Sequence, residues 1–585
     1  MEPNGVVYSA AISACARAQP TQHTKALKLL REAIEEKNVA ISVVGFNAAV
    51  AACAQAGDWK RAISILTRME EAVTRMEEGP PTNNAALEAR IPAPDAITYG
   101  TVFAALERGE QWSLILKYAK SIENRDVKLD GLSVTSCLHA CQQLGLAEEA
   151  LHYLDMMRKV RSQERMTAGW KRSGAKRPLE GPDPVAYRLA ISACARGGQW
   201  KEGIRLLDEF KNVTGTAADV VAYTAAITGC EYAGEWREAF LLLDQMRQHG
   251  VQANEVTMAA VIGACATALA KRNRAKKADG DDSGTSGMLE PQQRALQLLN
   301  VMRKDSTVVN PNIQVYNSVI RVCAEACDLD RAFKLLEQVK SEDIERTVVT
   351  YGSLMTACER VGDVEGASKV FRSMKDDGIT PNEIIYGAAI SCCRKGKEPE
   401  RALLLLRKMI QEGLSPNAAT FNTVIVAQAE GKSRSDMERA ILIYKLMKSK
   451  KYGSDKARPN RQTYSLLVNF FATKLQPNMA EAFLTKMRED GLVPDVDLFT
   501  MTVTAYERTR QPLKALRLMQ SMQADGYDFY SVKVLNAAFK KALQLANAVG
   551  KNLKEEDKSD EDGMKSRLND DAEEEGDDFI QPKKE

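Results

Sequence analysis

The chain has 585 residues, of which 44% are hydrophobic and 27% are charged. This composition excludes a disordered or collagen-like chain and allows a large buried core. No run of about eighteen apolar residues occurs, so the sequence predicts no membrane-spanning helix. The formal charge of +2 hides an acidic segment, because residues 551–585 hold fourteen acidic and only seven basic residues. The rest of the chain is therefore moderately basic, which suits a nucleic-acid partner.

An aromatic residue recurs with a fixed period. Tyr316, Tyr351, Tyr386 and Phe421 are each separated by 35 residues. Such a period is the signature of a repeat protein in which each unit packs only against its neighbours. The same register predicts repeats that start near residues 5, 43, 96, 131, 184, 220, 255, 313, 348, 383, 418, 461 and 496. The predicted organisation is a repeat domain over 5–530, a capping helix over 531–549 and a disordered acidic tail over 550–585.

One clean unit, residues 348–382, shows what each repeat contains. Two stretches with helical spacing of apolar residues flank the turn Val361-Gly362-Asp363. Gly378 then suits the end of the second helix, and Pro381 prevents that helix from continuing. The sequence therefore predicts an all-α fold, an α-solenoid that forms a right-handed superhelix of about 13 helix-turn-helix repeats.

The cysteines follow the same register. Nine of the twelve occupy position 11 of successive repeats: Cys15, Cys53, Cys141, Cys194, Cys230, Cys265, Cys323, Cys358 and Cys393. Because neighbouring helices pack about 10 Å apart, equivalent cysteines are predicted to be buried free thiols and not disulfides. No matching His or Cys pair follows Cys137/Cys141 or Cys323/Cys327 at zinc-site spacing, so no metal site is predicted.

The repeat unit resembles that of a known family. It opens with Val-Val-Thr-Tyr-Gly at 348–352 and closes with Gly-Ile-Thr-Pro-Asn at 378–382, which is similar to the pentatricopeptide repeat family, pure-repeat class. The rival tetratricopeptide unit has 34 residues and a Trp and Leu-Gly signature that is absent. The resemblance implies that each repeat reads one unstacked RNA base through two or three side chains. It also implies action in a plastid or mitochondrion.

In this family the base-reading residues are the fifth and the last of each repeat. Carried over to this sequence, the implied base-reading pairs are Asn47 with Asp95 (uracil), Thr135 with Asp183 (guanine), Thr224 with Asn254 (adenine), Asn317 with Thr347 and Asn422 with Asn460 (pyrimidine), and Ser465 with Asp495 (guanine). Hydroxyl, amide and carboxylate groups differ in donors and acceptors, which is what distinguishes bases. The implied target, read 5′ to 3′ with the chain, is n-U-n-G-n-A-n-Y-n-n-Y-G-n.

Seven repeats depart from these combinations. Five have an unsuitable fifth residue, namely Gly100, Arg188, Ala259, Gly352 and Gly387, and two have unclear pairs, Ser9 with Ser42 and Thr500 with Tyr530. Two further register positions suit RNA. Position 2 is mostly aliphatic and could wedge between bases, as in Val6, Val44, Ile97, Val185, Val221, Val256, Val349 and Ile384. Position 13 is basic in six repeats and could contact the RNA backbone: Arg17, Arg108, Arg196, Arg360, Lys395 and Arg508.

Nothing in the sequence indicates catalysis. The four histidines, His23, His139, His152 and His249, are scattered, and no nucleophile elbow or phosphate-binding glycine loop is present. No cofactor is predicted. The sequence therefore favours a non-catalytic, sequence-selective protein that binds single-stranded RNA in organellar transcript stabilisation, processing, splicing or translation, with other RNA-processing proteins as further partners. Two alternatives remain open: a helical-repeat scaffold for proteins, and an RNA-recognition arm for a separate nuclease.

Overall fold

The computed structural model describes most of the repeat region. The described residues are 3–18, 22–37, 39–78, 91–123, 129–166, 182–214, 218–279, 290–304, 309–430, 435–449, 457–524, 527, 535–537 and 539–541. The chain divides into two compact units, Met1–Val322 and Cys323–Glu585. In the described parts of both units the regular structure is helical, with no strand, so the predicted all-α fold of helical hairpins is confirmed.

Each repeat contains a first helix, here called the A helix, and a second, the B helix. The A helices are Gly5–Arg17, Val43–Gln55, Ala96–Arg108, Gly131–Leu144, Pro184–Arg196, Val220–Ala233, Glu255–Asp279, Ile313–Glu325, Val348–Val361, Glu383–Lys395, Ala418–Glu430, Arg461–Thr473 and Val496–Arg508. Repeats are numbered 1 to 13 by these helices. Each of these helices begins at the residue from which its repeat is numbered in the sequence register.

The B helices return antiparallel to the A helices. They are His23–Arg31 with the π-helical turn Glu32–Glu36, Trp59–Glu78, Trp112–Glu123, Ala147–Met166, Trp200–Thr214, Trp236–Gln248, Glu290–Lys304, Leu329–Ser341, Val364–Asp376, Pro399–Gln411, Ser435–Lys448, Pro477–Glu489 and Pro512–Ala524. None of the described helices is both long and apolar enough to cross a bilayer.

The A helices begin where they do because the preceding residue caps them. In repeat 5 the Asp183 carboxylate accepts the Ala186 N–H at 2.7 Å, and in repeat 10 the Asn382 amide oxygen accepts the Ile385 N–H at 3.0 Å. Asp and Asn are favoured at this position because they satisfy N–H groups that lack a partner within the helix. The last residue of one repeat is therefore the N-cap of the next, which matters for its proposed role in reading bases.

Several B helices are followed by a residue with left-handed backbone. In repeat 9 the helix ends at Asp376, and Gly378 has a φ of 69°. Glycine adopts this conformation without the steric cost that a Cβ atom brings. The chain can therefore turn at once into the next A helix.

The core lies between A and B helices and between successive repeats. The position-4 aromatic is buried in most repeats, and Tyr187 donates a hydrogen bond to Glu209 at 2.8 Å on the B helix of its own repeat. Tyr386 donates to Glu412 in the same way, at 2.8 Å. A buried tyrosine thus packs its ring in the core and satisfies its hydroxyl at the far end of the B helix. Position 20 is a buried alanine, such as Ala239 and Ala402, which allows close helix packing.

The position-11 cysteines are free thiols, and all but the half-buried Cys15 are buried. Burial raises the pKa of Cys53 to about 11 and that of Cys265 to about 12. Cys53 and Cys265 therefore stay protonated at neutral pH and act as small apolar packing groups.

Two predicted segments fall mainly or wholly outside the described residues. Of the capping helix over 531–549, residues 535–537 and 539–541 are helical, and Leu535 is fully buried. The acidic tail over 550–585 lies outside the described part.

Candidate nucleic-acid interface

In each of the two compact units, exposed aliphatic side chains follow the A helices at one register position. At position 2 the exposed fractions reach 75% for Val6, 68% for Val44 and 76% for Ile384. The row includes the eight residues predicted from the sequence and also Leu132, which that prediction omitted. Single exposed aliphatics are common on protein surfaces, but a row at one register position is typical of a surface that binds something. Within each compact unit, we call the surface formed by positions 2, 5, 9 and 13 of the A helices the A face.

Repeat 2 brings its two predicted base-reading residues into contact. Asn47 donates through its Nδ2 to Asp95 Oδ1 at 3.1 Å. The same Asp95 oxygen accepts the Thr98 N–H at 2.8 Å and so caps the next A helix. Burial would raise the pKa of Asp95, but the hydrogen bonds from Thr98 and Asn47 outweigh it and lower the pKa. Asp95 is therefore a carboxylate whose second oxygen, Oδ2, is available as an acceptor.

Repeat 6 joins its pair through a third residue. The hydroxyls of Thr224 and Thr257 lie 2.7 Å apart, and Thr257 donates to Asn254 Oδ1 at 2.8 Å. Asn254 Oδ1 also accepts the Thr257 N–H at 2.9 Å, as an N-cap does. The Nδ2 of Asn254 has no partner among the described residues. Its donors therefore remain available to a ligand.

A cavity of about 330 Å³ opens beside this pair. Thr224 and Asn254 line it together with the position-2 valines Val221 and Val256. Polar groups and exposed aliphatic walls thus meet at one place on the A face, which is the arrangement that the resemblance implies for a base-binding site.

The remaining pairs are less closely joined. In repeat 4 the Thr135 hydroxyl donates to its own helix at Gly131 O, 2.8 Å away, and the exposed Asp183 serves as a cap. In repeat 12 Ser465 is half-buried, and Asp495 forms an ion pair with Arg461. Neither pair shows a direct hydrogen bond between its members.

Asn422 of repeat 11 is the most unusual predicted reader. Its side chain is only 4% exposed, yet neither its Oδ1 nor its Nδ2 has a hydrogen-bond partner. An unsatisfied buried amide costs about 1–3 kcal/mol. Its partner Asn460 caps the next helix, accepting the Thr463 N–H at 2.9 Å.

In repeat 8 the predicted pair is Asn317 and Thr347. Asn317 likewise has an unpartnered Oδ1. The Thr347 N–H donates to Thr350 Oγ1 at 3.3 Å at the start of the next A helix. Asn317 belongs to the first compact unit and Thr347 to the second.

In two of the repeats without a clear pair, the side chains of the fifth and last residues contact each other. Arg188 donates to Asp219 at 2.9 Å, so the fifth and last residues of repeat 5 neutralise each other. The Ser9 and Ser42 hydroxyls of repeat 1 lie 3.5 Å apart. At Gly352, by contrast, no atom lies within 4 Å of the place where a Cβ would stand. Position 5 of repeat 9 therefore has space around it but no side chain that could contact a base. Tyr530 lies outside the described residues.

Only some of the basic residues at position 13 are free to contact a ligand. Arg108 donates to Ala54 O at 2.9 Å, and Arg196 donates to Gln142 O at 3.2 Å, so both bind the end of a preceding A helix. Arg360 pairs with Glu325 at 2.5 Å, and the carboxylate side chain is only 10% exposed. Cations are stabilised at helix C-termini, so helix stability explains some of the basic residues at position 13 without any ligand.

The other three position-13 cations have no such contact. Arg17, Lys395 and Arg508 are exposed and make no hydrogen bond or ion pair among the described residues.

Sequence reasoning also missed a bridge that spans three repeats. Arg321 donates to Glu231 at 3.2 Å and to Gly263 O at 3.1 Å. A Cβ at Gly263 would stand 2.1 Å from the Glu231 carboxylate, so the bridge needs glycine there. The only signals in the sequence were two charged residues, Glu231 at position 12 of repeat 6 and Arg321 at position 9 of repeat 8.

Models of one family match much of this chain. The pentatricopeptide repeat domain matches residues 28–74 and 334–396, and the PPR repeat family matches 218–267. The PPR repeat matches 132–161, 185–212 and 314–344, and the pentacotripeptide-repeat region of PRORP matches 386–551. Together these ranges cover more than half of the chain. The chain belongs to the pentatricopeptide repeat family. The predicted resemblance is therefore confirmed at the level of the family.

A search of curated proteins finds no match to this pentatricopeptide repeat chain. Among solved structures, the protein PPR10 in complex with an 18-nt psaJ RNA element is 19% identical, with 92% of this chain and 87% of that chain covered and a TM-score of 0.33. PPR10 from maize is 18% identical, covers 97% and 94%, and has a TM-score of 0.26.

The repeat domain of the Arabidopsis thaliana protein-only RNase P 1, in complex with tRNA, is 20% identical. It covers 34% of this chain and 94% of its own length, with a TM-score of 0.27. At such TM-scores none of these likenesses is evidence for the shape or the ligand of this chain.

Proposed function

We propose that this protein binds single-stranded RNA along the A face and selects bases through the fifth and last residues of its repeats. The main support for the proposal is that the last residue of a repeat uses only one of its two polar side-chain atoms to cap the next helix. In repeats 2 and 6 one side-chain oxygen, that of Asp95 or Asn254, caps a helix, and the other polar atom is free beside the fifth residue. Asp and Asn serve equally well as caps, whereas a base edge distinguishes them.

Membership of the pentatricopeptide repeat family and the exposed aliphatic row support the same proposal. A chain of unstacked bases would cover the aliphatic row, and burial of this apolar surface against the base faces contributes affinity regardless of sequence. The free cations Arg17, Lys395 and Arg508 would contact phosphates and make binding depend on salt.

We propose further that the protein acts without catalysis in a plastid or mitochondrion. There it would protect transcript ends, or direct processing, splicing or translation, by occupying one RNA segment. Occupation of RNA requires no catalytic residue. The specific transcript and step depend on the bases that are read.

The direct test is selection of RNA ligands from a random pool with the purified full chain at about physiological salt. We expect enrichment of a motif that contains U-n-G-n-A from repeats 2, 4 and 6, together with preference for single strands over duplex. Affinity is expected to fall as salt rises, because phosphate contacts release counterions. Weak binding with no enriched motif would favour the protein scaffold instead, and a nuclease that co-purifies would favour the recognition arm.

Repeat 9 offers a gain of base selectivity. The Gly352→Thr substitution places a hydroxyl beside Asn382, where nothing obstructs it, and creates the combination that the family resemblance assigns to adenine. We expect the variant to prefer A over the other three bases at the ninth position of the target by about fivefold or more, a typical effect of one good base contact. Competition binding with four RNAs that differ only at that base measures the preference.

Gly131→Thr is the matched control, because Gly131 is also unobstructed but lies at position 1 of repeat 4 and not at position 5. It should leave the preference at every base unchanged. Equal binding of all four RNAs to the Gly352→Thr variant would contradict the assignment of position 5.

A further inference from the structure

Tyr232 is an exposed aromatic side chain at position 13 of repeat 6. It is 58% exposed, and its hydroxyl has no hydrogen-bond partner among the described residues. In six other repeats this position is basic, so Tyr232 replaces a cation in the same register. A large aromatic left in water at a position that does not contribute to the core is more often a contact residue than a structural one.

Cations flank this tyrosine on both sides along the A face. One repeat earlier, Arg196 stands at the same register and lines the same cavity. On the next repeat, the Lys271 ammonium donates to Ala233 O at 2.5 Å, beside Tyr232. The surroundings of Tyr232 are therefore positive, and an anionic ligand would be attracted to them.

The cavity connects Tyr232 to the base-reading pair of its own repeat. Thr224, Asn254 and Tyr232 all line it. Thr224 and Tyr232 are eight residues apart on one helix, which corresponds to about 12 Å along the helix axis. This separation resembles the reach of one extended nucleotide from its base edge to its phosphate. The cavity volume of about 330 Å³ also lies within the range of small-ligand sites.

We propose that Tyr232 binds the sugar and phosphate of the nucleotide whose base faces Thr224 and Asn254. Its ring packs on the ribose, and its hydroxyl donates a hydrogen bond to a phosphate oxygen. The proposal rests on the proposed RNA-binding function and adds a positioning residue to it. Repeat 6 then binds one whole nucleotide.

The test compares RNA binding by the full-length wild type and three variants at several salt concentrations, with an RNA that carries the motif selected by the wild type. Tyr232→Phe loses only the hydroxyl and should bind about tenfold more weakly or more, as expected for one hydrogen bond to a charged group. Tyr232→Ala should bind more weakly still. Tyr232→Arg should recover affinity at low salt and steepen the dependence of log affinity on log salt by about 0.7, as expected for one added phosphate contact on a single strand.

Tyr118→Ala is the matched control, because Tyr118 lies on a B helix away from the cavity. It should bind RNA as the wild type does. If the wild type binds its motif and both Tyr232→Phe and Tyr232→Ala bind equally well, this inference is wrong while the RNA-binding function stands. If Tyr232→Phe equals the wild type and only Tyr232→Ala is weak, the hydroxyl contact is wrong. If the wild type binds no RNA, the proposed function fails, and this inference with it.

Discussion

Asn254→Asp is expected to change the base preference of repeat 6 from adenine to guanine. The substitution changes one atom, the Nδ2 donor, into an oxygen that only accepts. Adenine presents an acceptor at N1, which the amide can donate to, whereas guanine presents a donor at N1, which the carboxylate can accept. The Thr224–Asp combination is also the one that the family resemblance assigns to guanine.

The two effects reinforce each other, so the change should be large. Each good base contact contributes about 1–3 kcal/mol of discrimination, and here one is lost and another gained. We therefore expect the ratio of affinities for RNAs with A and G at the sixth position to change by about a hundredfold or more. Equilibrium binding of the two RNAs to both proteins measures this ratio.

The helix cap should survive the substitution. The Oδ1 of Asn254 accepts from the backbone and hydroxyl of Thr257, and Asp keeps that oxygen. Asn382→Asp is the matched control: it makes the same chemical change at an N-cap whose repeat has only Gly352 at position 5. That variant should show little change in base ratio. An unchanged ratio in Asn254→Asp would show that the last residue is a cap and nothing more.

The arrangement of helices could be predicted from the sequence because its causes are local. A capping residue before each A helix, as at Asp183 and Asn382, and a left-handed glycine after a B helix, as at Gly378, set helix ends by backbone chemistry. The repeat register then places the A helices, 35 residues apart where no residues are inserted and further apart elsewhere. These signals act within a few residues, so they can be read without knowledge of the neighbouring repeats.

Whether each candidate site residue is free or already paired with a neighbour could not be predicted in the same way. Arg188 and Arg360 are both basic residues at promising positions, but Asp219 neutralises one and Glu325 the other. Whether a long side chain is free depends on which partner an adjacent helix offers. The register states only that the helices are adjacent. Asn47 and Asn422 illustrate the same limit, since one is hydrogen-bonded to Asp95 and the other has no partner.

A charged network at the start of repeat 9 should dominate the local stability of the second compact unit. Arg346 binds Asp377 with two hydrogen bonds of 2.9 Å, one to each carboxylate oxygen, and Tyr351 also donates to Asp377. Both charged side chains are mostly buried, at 21% and 12% exposed. The network joins the loop before repeat 9, its A helix and the end of its B helix.

Asp377→Ala should therefore lower the free energy of local unfolding by about 3 kcal/mol, because it leaves the Arg346 charge and the Tyr351 hydroxyl without their acceptor. Repeat proteins open in segments, so hydrogen exchange of the amides in residues 348–376 is the suitable measurement. Asp376→Asn is the matched control, because Asp376 is adjacent but exposed. Equal protection in Asp377→Ala and the wild type would contradict the role of the network.

The pH dependence of the same network follows from the carboxylate. Hydrogen bonds from Arg346 lower the pKa of Asp377, and the hydroxyl of Tyr351 adds to the effect. A lowered carboxyl pKa stabilises the folded state above the unfolded pKa of about 3.9, and this contribution is lost as the pH falls through the folded value. Wild type should thus lose protection in repeat 9 below about pH 4, whereas Asp377→Asn, which cannot ionise, should lose less over that range. At neutral pH the wild type should be better protected than Asp377→Asn, since only the wild type has the ion pair.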